Sequence, residues 1–144
     1  MALDALGNDV SGSPQAVAHL DDAIDRSLRH DGGVADAARD ASRADPSFAL
    51  AHALLALAEP SAAEQSLASA RRLLVRAATD YERSAVQFID LLVTGGMWAA
   101  HDAGVAHAAA YPRDLLGVGL AATIVERSAR RDVHEAVLAT YPPS

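Results

Sequence analysis

The chain contains no cysteine, which removes disulfides, a thiolate nucleophile and thiolate metal sites together. It contains no lysine either, so every basic side chain is an arginine. Aromatic residues make up only 4% of the chain, and strand formers stand singly rather than in alternating runs, which argues against a sheet. A long apolar run is also missing. The longest stretch, Ala51–Ala58, falls far short of the roughly 20 residues that span a bilayer. The opening Met1-Ala2-Leu3-Asp4-Ala5-Leu6 has neither the positive region nor the apolar stretch of a signal peptide. A formal net charge of −7 opposes long-range attraction to a phosphate backbone. The sequence therefore predicts no nucleic-acid partner, no membrane partner and a cytoplasmic location.

What is present is helix-forming. Hydrophobic residues make up 51% of the 144 residues, and about a quarter of the chain is alanine, the residue with the best helix propensity and no side-chain entropy to lose. A chain of this length can bury a sizeable core as one domain. Its punctuation recurs. Ser11-Gly12-Ser13-Pro14, Asp45-Pro46, Thr79-Asp80 and Tyr111-Pro112 each read as a helix start, because Ser, Thr and Asp cap free N–H groups and proline suits a first turn. Successive starts lie about 33 residues apart, the period of helix-hairpin repeats. A second set of breaks falls between them, at His30-Asp31-Gly32-Gly33, Glu59-Pro60-Ser61, Thr94-Gly95-Gly96 and Ala129-Arg130-Arg131-Asp132. Helices are predicted over 14–30, 34–44, 47–59, 62–78, 80–94, 97–110, 113–128 and 132–140. The expected organisation is an N-terminal arm over 1–13, one helical domain over 14–141 and a tail over 142–144.

The faces agree with this division. Val17, Leu20, Ile24 and Leu28 form an apolar stripe on the first helix. The fifth is apolar over most of its circumference, with Arg83, Gln87, Asp90 and Thr94 leaving one narrow wet face, as suits a helix packed on several sides in the middle of a stack.

The segment from Ala41 to Ala56 resembles a tetratricopeptide repeat (TPR) junction, with Ala41, Pro46, Ala49, Ala51 and Leu55 in the expected places and His52 and Ala56 where the motif has an aromatic and a glycine. More narrowly, Asp4-x-x-Gly7, Asp45-Pro46-x-Phe48-x-x-Ala51-His52, Tyr81-Glu82-Arg83 and Tyr111-Pro112-x-Asp114 occur in the order shown by the tetratricopeptide repeat protein 38 family. Where that family has a histidine after Glu-Arg, Ser84-Ala85-Val86 stands here, and family members are longer than this chain. The resemblance implies an all-α fold of about four antiparallel helix pairs in a right-handed stack, corresponding to the N-terminal part of that family.

Candidate chemistry is sparse. Asp21-Asp22-Ala23-Ile24-Asp25 spells the aspartate-rich motif that holds magnesium diphosphate in prenyl-transferring enzymes. The second ligand set that such chemistry needs is not visible. Asp22 and Asp25 also precede Arg26 and Arg29 by four residues, the order that favours exposed helix pairs. No two of His19, His30, His52, His101, His107 and His134 have the spacing of three or four that a helical metal pair requires. His52, near Asp45 and Glu59, reads as a hydrogen-bonded structural histidine. No Gly-x-Ser-x-Gly elbow exists. Trp98, the sole tryptophan, is expected to anchor a core.

Two surfaces remain. Arg71, Arg72, Arg76 and Arg83 could grip a carboxylate or an acidic peptide, since guanidinium forks pair bidentately with carboxylates; the competing reading is a basic stripe neutralised by Glu64 and Glu82. Val133, Val137, Leu138 and Tyr141 form an apolar stripe that would bury against a partner or a second copy. The reading adopted is a non-enzymatic scaffold for a protein or acidic peptide partner, with no cofactor and no metal, and with a homodimer as its expected self-association. The alternatives are a small helical enzyme or accessory subunit using Asp21, Asp22 and Asp25 or His52, and a structural homo-oligomer.

Overall fold

The computed structural model describes residues 2–76, 78–124 and 126. These form an all-helical array entered through a small hairpin. The order is β1 (Ala2–Leu3), β2 (Asp9–Val10), α1 (Pro14–Leu28), α2 (Val34–Ala44), α3 (Ala49–Ala58), a 3-10 turn (Pro60–Ala62), α4 (Ala63–Leu73), α5 (Asp80–Thr94) and α6 (Met97–Ala110). Residues 115–124 form a further helix, α7. Short connections and side-by-side packing reverse the chain between α1 and α2, between α3 and α4, and between α5 and α6. The pairs meet where α2 and α5 pack on α3.

Local chemistry explains most boundaries. Ser13 caps α1 by accepting from the Ala16 N–H, with Pro14 in the first turn. Thr79 caps α5 in a capping box with Glu82. Gly95 ends α5 at φ 82°, a left-handed conformation that costs a glycine nothing. The breaks at Gly32-Gly33, Glu59-Pro60 and Gly95-Gly96 all separate helices.

Some boundaries differ from the sequence reading. α3 starts at Ala49 rather than 47, because the Asp45 carboxylate accepts both the N–H and the hydroxyl of Ser47 and holds that turn out of the helix. α7 begins after Asp114, whose carboxylate caps the Gly117 N–H, rather than at Arg113. α4 ends at Leu73 rather than 78, because residues 74–76 turn to deliver Thr79 to the next cap. The predicted helix over 132–140, the tail over 142–144 and the stripe of Val133, Val137, Leu138 and Tyr141 lie outside the described residues.

The hairpin pairs Ala2 with Val10 and Leu3 with Asp9. Its turn is built by Asp4, a buried carboxylate that accepts from the Leu6 N–H at 2.9 Å and from the Asn8 N–H at 2.8 Å. The segment expected as an arm is thus tied into the array, and Val10 is fully buried in the core.

The main core gathers Leu20, Phe48, Leu54, Tyr81 and Val86 from α1, α3, α5 and the loop before α3. α2 buries Ala37, Ala38 and Ala41 in it, with Val34, Ala35 and Ala44 packed alongside, and side chains as small as alanine let helices approach closely. A smaller cluster at the far end joins Phe88, Ala100, Ala121 and Ile124. Its closest crossing is at Gly104, where an added Cβ would lie 2.7 Å from the Phe88 ring. Arg83, Gln87 and Thr94 are exposed on α5, as the polar periodicity indicates.

Candidate functional site

Two neighbouring features collect the polar chemistry of the described residues. One is a buried relay between helices. α5 supplies Tyr81 and Ser84, α6 supplies His107, and the N-cap of α7 supplies Asp114. The Ser84 Oγ lies 2.7 Å from His107 Nδ1, and His107 Nε2 lies 2.7 Å from Asp114 Oδ2. With the serine hydroxyl donating to Nδ1, the Nε2–H donates to the carboxylate. Asp114 also accepts from the Gly117 N–H and from the Tyr81 hydroxyl. The Tyr81 phenol is pushed well above its ordinary value, first by burial and then by the carboxylates of Asp114, Asp4 and Glu82. The His107 ring is enclosed by Tyr81, Phe88 and Tyr111, with ring centroids 5.3–6.0 Å away. Gly117 makes this possible, since a Cβ there would stand 2.5 Å from Asp114 Oδ2 and 2.9 Å from the His107 ring.

The order serine, histidine, carboxylate is that of a serine hydrolase triad, but the ring nitrogens are interchanged, with Nδ1 on the serine and Nε2 on the carboxylate. The surroundings differ as well. Ser84 lies inside α5, where backbone N–H groups are committed to the helix rather than free to hold an oxyanion. The cavity beside His107 and Asp114 measures about 20 Å³, room for about one water. The geometry therefore supports a structural role, in which each polar group of the relay meets a partner as buried polar groups must.

The second feature is an open groove of about 560 Å³ above this relay, between the hairpin turn, the start of α5 and the α6–α7 connection. Tyr81 and Tyr111 meet edge to face at its base, with centroids 5.3 Å apart, so both belong to the groove and to the relay. Arg83, Arg113, Asp9 and Asp80 supply its charge. Beneath its wall Glu82 is fully buried. Its Oε1 accepts from the Ser11 N–H at 2.8 Å and the Thr79 N–H at 3.1 Å, and its Oε2 accepts from the Ser11 hydroxyl at 2.9 Å. The Thr79 hydroxyl donates to the Asp9 carbonyl at 2.8 Å, fixing the hairpin against α5.

The four arginines singled out in the sequence do not converge. Arg71 makes a two-pronged ion pair with Asp90, at 2.7 and 2.6 Å, which raises its already high pKa. Arg72 and Arg76 are exposed. Arg83 lies seven residues before Asp90, about 10 Å along the helix, and alone of the four lines the groove. Glu82, read from sequence as a neutralising neighbour, faces inward because the capping box and Ser11 take both its oxygens.

The acidic motif is divided among three partners. Asp21 accepts from the Ala5 N–H of the hairpin turn, while Asp22 and Asp25 pair with Arg26 and Arg29. Burial raises the Asp21 pKa, against the opposing effect of the Ala5 hydrogen bond. His52 is half-buried and donates through Nε2 to the Pro46 carbonyl at 2.9 Å. It meets neither neighbouring carboxylate, since Asp45 serves Ser13 and Ser47, and Glu59 pairs with Arg39. Trp98 is 57% exposed and not a core anchor. The helix starts at Met97, directly after the glycine pair, and residues 97–99 are exposed.

Sequence reasoning missed Ser84, Asp114, Arg113 and the role of His107. The available signal was the spacing of seven between His107 and Asp114 across the Tyr111-Pro112 turn. No protein-family model, curated protein or solved structure matches the chain.

Proposed function

We propose that the chain is a non-enzymatic helical scaffold, a TPR-like right-handed stack that mediates interaction with a protein or peptide partner. The repeat period, the pairing of successive helices and the junction residues from Ala41 to Ala56 support the TPR-like part of this reading. The observation that carries the functional part is the groove. It has the size of a ligand site, it offers aromatic, backbone and guanidinium groups to an extended chain, and Ser84 does not line it. A photo-crosslinking residue at Asp9 on the groove, and separately at Gln65 on α4, tests the reading in native cell extract. A discrete protein adduct from position 9 and none from position 65 is the expected result. Equal labelling from both, or none from either, overturns it.

A second reading, a homo-oligomer, is favoured by the outer face of α6, where Trp98 and Val105 are 57% and 47% exposed. Light scattering across a wide concentration range decides it: a mass that stays monomeric throughout removes the oligomer.

A further inference from the structure

We propose that the groove recognises a peptide through a single carboxylate held between Arg83 and Arg113. This rests on the reading of the groove as a partner site and adds the chemistry of its ligand. The Arg113 side chain has no hydrogen-bonding or ion-pair partner among the described residues. It is nevertheless placed, because its guanidinium lies over the hairpin turn, with Nη1 3.2 Å from where a Cβ on Gly7 would stand. A side chain held on a groove wall without a counter-charge is preorganised to take one from a ligand.

Arg83 is half-held. Its pair with Asp80, at 3.2 Å, joins a 45% exposed arginine to a 93% exposed aspartate one helical turn away. Such surface pairs contribute little and exchange readily. The nearest alternative acid in the sequence, Glu82, is withdrawn into the core with both oxygens occupied. Two guanidinium groups therefore border one groove with a single weak internal partner between them, which suits a forked acceptor such as a carboxylate.

The groove also limits how much negative charge it accepts. Asp9 and Asp80 border the same space and are both exposed, and the chain as a whole carries −7. A run of acidic residues would meet these carboxylates, whereas one carboxylate flanked by neutral residues would not. Tyr111 and Pro112 give the flanking residues an apolar wall.

The test is an amide-detected NMR titration of the full chain with three blocked pentapeptides. The first carries one central glutamate among glycine and serine, the second has glutamine in its place, and the third has three consecutive glutamates. The glutamate peptide is expected to shift the Gly7, Asp9 and Arg113 amides saturably. The glutamine twin is expected to bind about tenfold more weakly, the loss of one charge-assisted hydrogen bond, and the triple-glutamate peptide no more tightly than the single. Arg83→Gln and Arg113→Gln are each expected to reduce the glutamate peptide to the level of its twin. Both side chains are exposed, and unchanged circular dichroism and amide dispersion confirm that the variants are folded. Equal binding of glutamate and glutamine peptides overturns carboxylate recognition while leaving a peptide groove. Absence of saturable shifts at millimolar peptide, or much tighter binding of the triple-glutamate peptide, also overturns it. In each case the crosslinking result from position 9 reports separately on whether the groove meets a partner.

Discussion

His107 Nε2 lies 2.7 Å from Asp114 Oδ2, and both side chains are almost completely withdrawn from solvent. The pair joins α6 to the start of α7, and through Ser84 and Tyr81 it reaches α5 as well. Replacing Asp114 by alanine removes the cap of α7 and leaves His107 and Tyr81 without their acceptor. A loss of about 3–5 kcal/mol is expected from the lost cap together with two buried donors left without an acceptor, read from urea denaturation. Ser84→Ala removes one bond at the margin of the relay and is expected to cost about 1 kcal/mol. If both variants unfold at the wild-type midpoint, the relay does not hold the helices together.

The three glycines of α6 and α7 are expected to respond differently to alanine. Gly104→Ala drives a methyl group into the Phe88 ring, and Gly117→Ala drives one into Asp114. Each is expected to destabilise by about 1–3 kcal/mol, as overpacking does. Gly119 is exposed within α7, and a Cβ added there would meet nothing within 4 Å, so Gly119→Ala is expected to stabilise by about 0.5–1 kcal/mol. Thermal unfolding of the three variants gives the order directly.

Two aspartates respond to pH with opposite sign. Burial alone would raise the Asp45 pKa, but hydrogen bonds from Ser47 and Ser13 outweigh it and hold the carboxyl below 3.8. Its contribution is present above 3.8 and is lost as pH falls through the lower folded value. Burial holds Asp21 above 3.8, so its contribution is greatest below 3.8 and is lost as pH rises through the folded value. Asp45→Asn is therefore expected to lose about 1 kcal/mol at neutral pH, and Asp21→Asn to be at least as stable as the wild type there. Both differences shrink in acid. Denaturation curves over the acid range check the signs, and a destabilised Asp21→Asn at neutral pH would contradict the second.

Glu82→Ala is expected to cost about 2–4 kcal/mol, because it leaves the Ser11 and Thr79 N–H groups in the interior without an acceptor. Hydrogen exchange should show the loss at residues 9–13 and 79–82 together. Unchanged protection at residues 9–13 would mean that Val10 burial and the bonds to Thr79 and Asp21 hold the hairpin without Glu82.

How much of this was legible follows from the range of the forces involved. Ser13, Thr79 and Gly95 act on residues within one helical turn, so the sequence places α1 and α5 within two residues at each end. Glu82 carries one local signal, the Thr79-x-x-Glu82 spacing of a capping box, but its other partner, Ser11, is 71 residues away, and that second contact is invisible in the sequence. His107 and Asp114 meet only because the turn between them folds back, and their chemistry cannot be inferred from either helix alone. Trp98 fails for the opposite reason: its size suggests burial, whereas it stands exposed in the first turn of α6. Of the four arginines that the sequence offers as a binding cluster, Arg83 alone lines the groove. Arg113 stands by itself in the sequence, and only the Asp4–Asn8 turn gives it a wall to lie against.

The link between Ser11 and Glu82 also bears on how the chain matures during synthesis. Helix pairs such as α1 with α2 can close as soon as their own residues exist, because their contacts are local. The first strands cannot. The partners that fix Asp9 and Ser11, namely Thr79 and Glu82, are made 70 and 71 residues later. During translation the hairpin must wait, with the Val10 side chain and the Ser11 N–H unmet, until α5 emerges. The hairpin, synthesised before the helix that holds it, is thus locked later than the α1–α2 pair, and slowing elongation before Asp80 should prolong its sensitivity to protease without altering that of the pair.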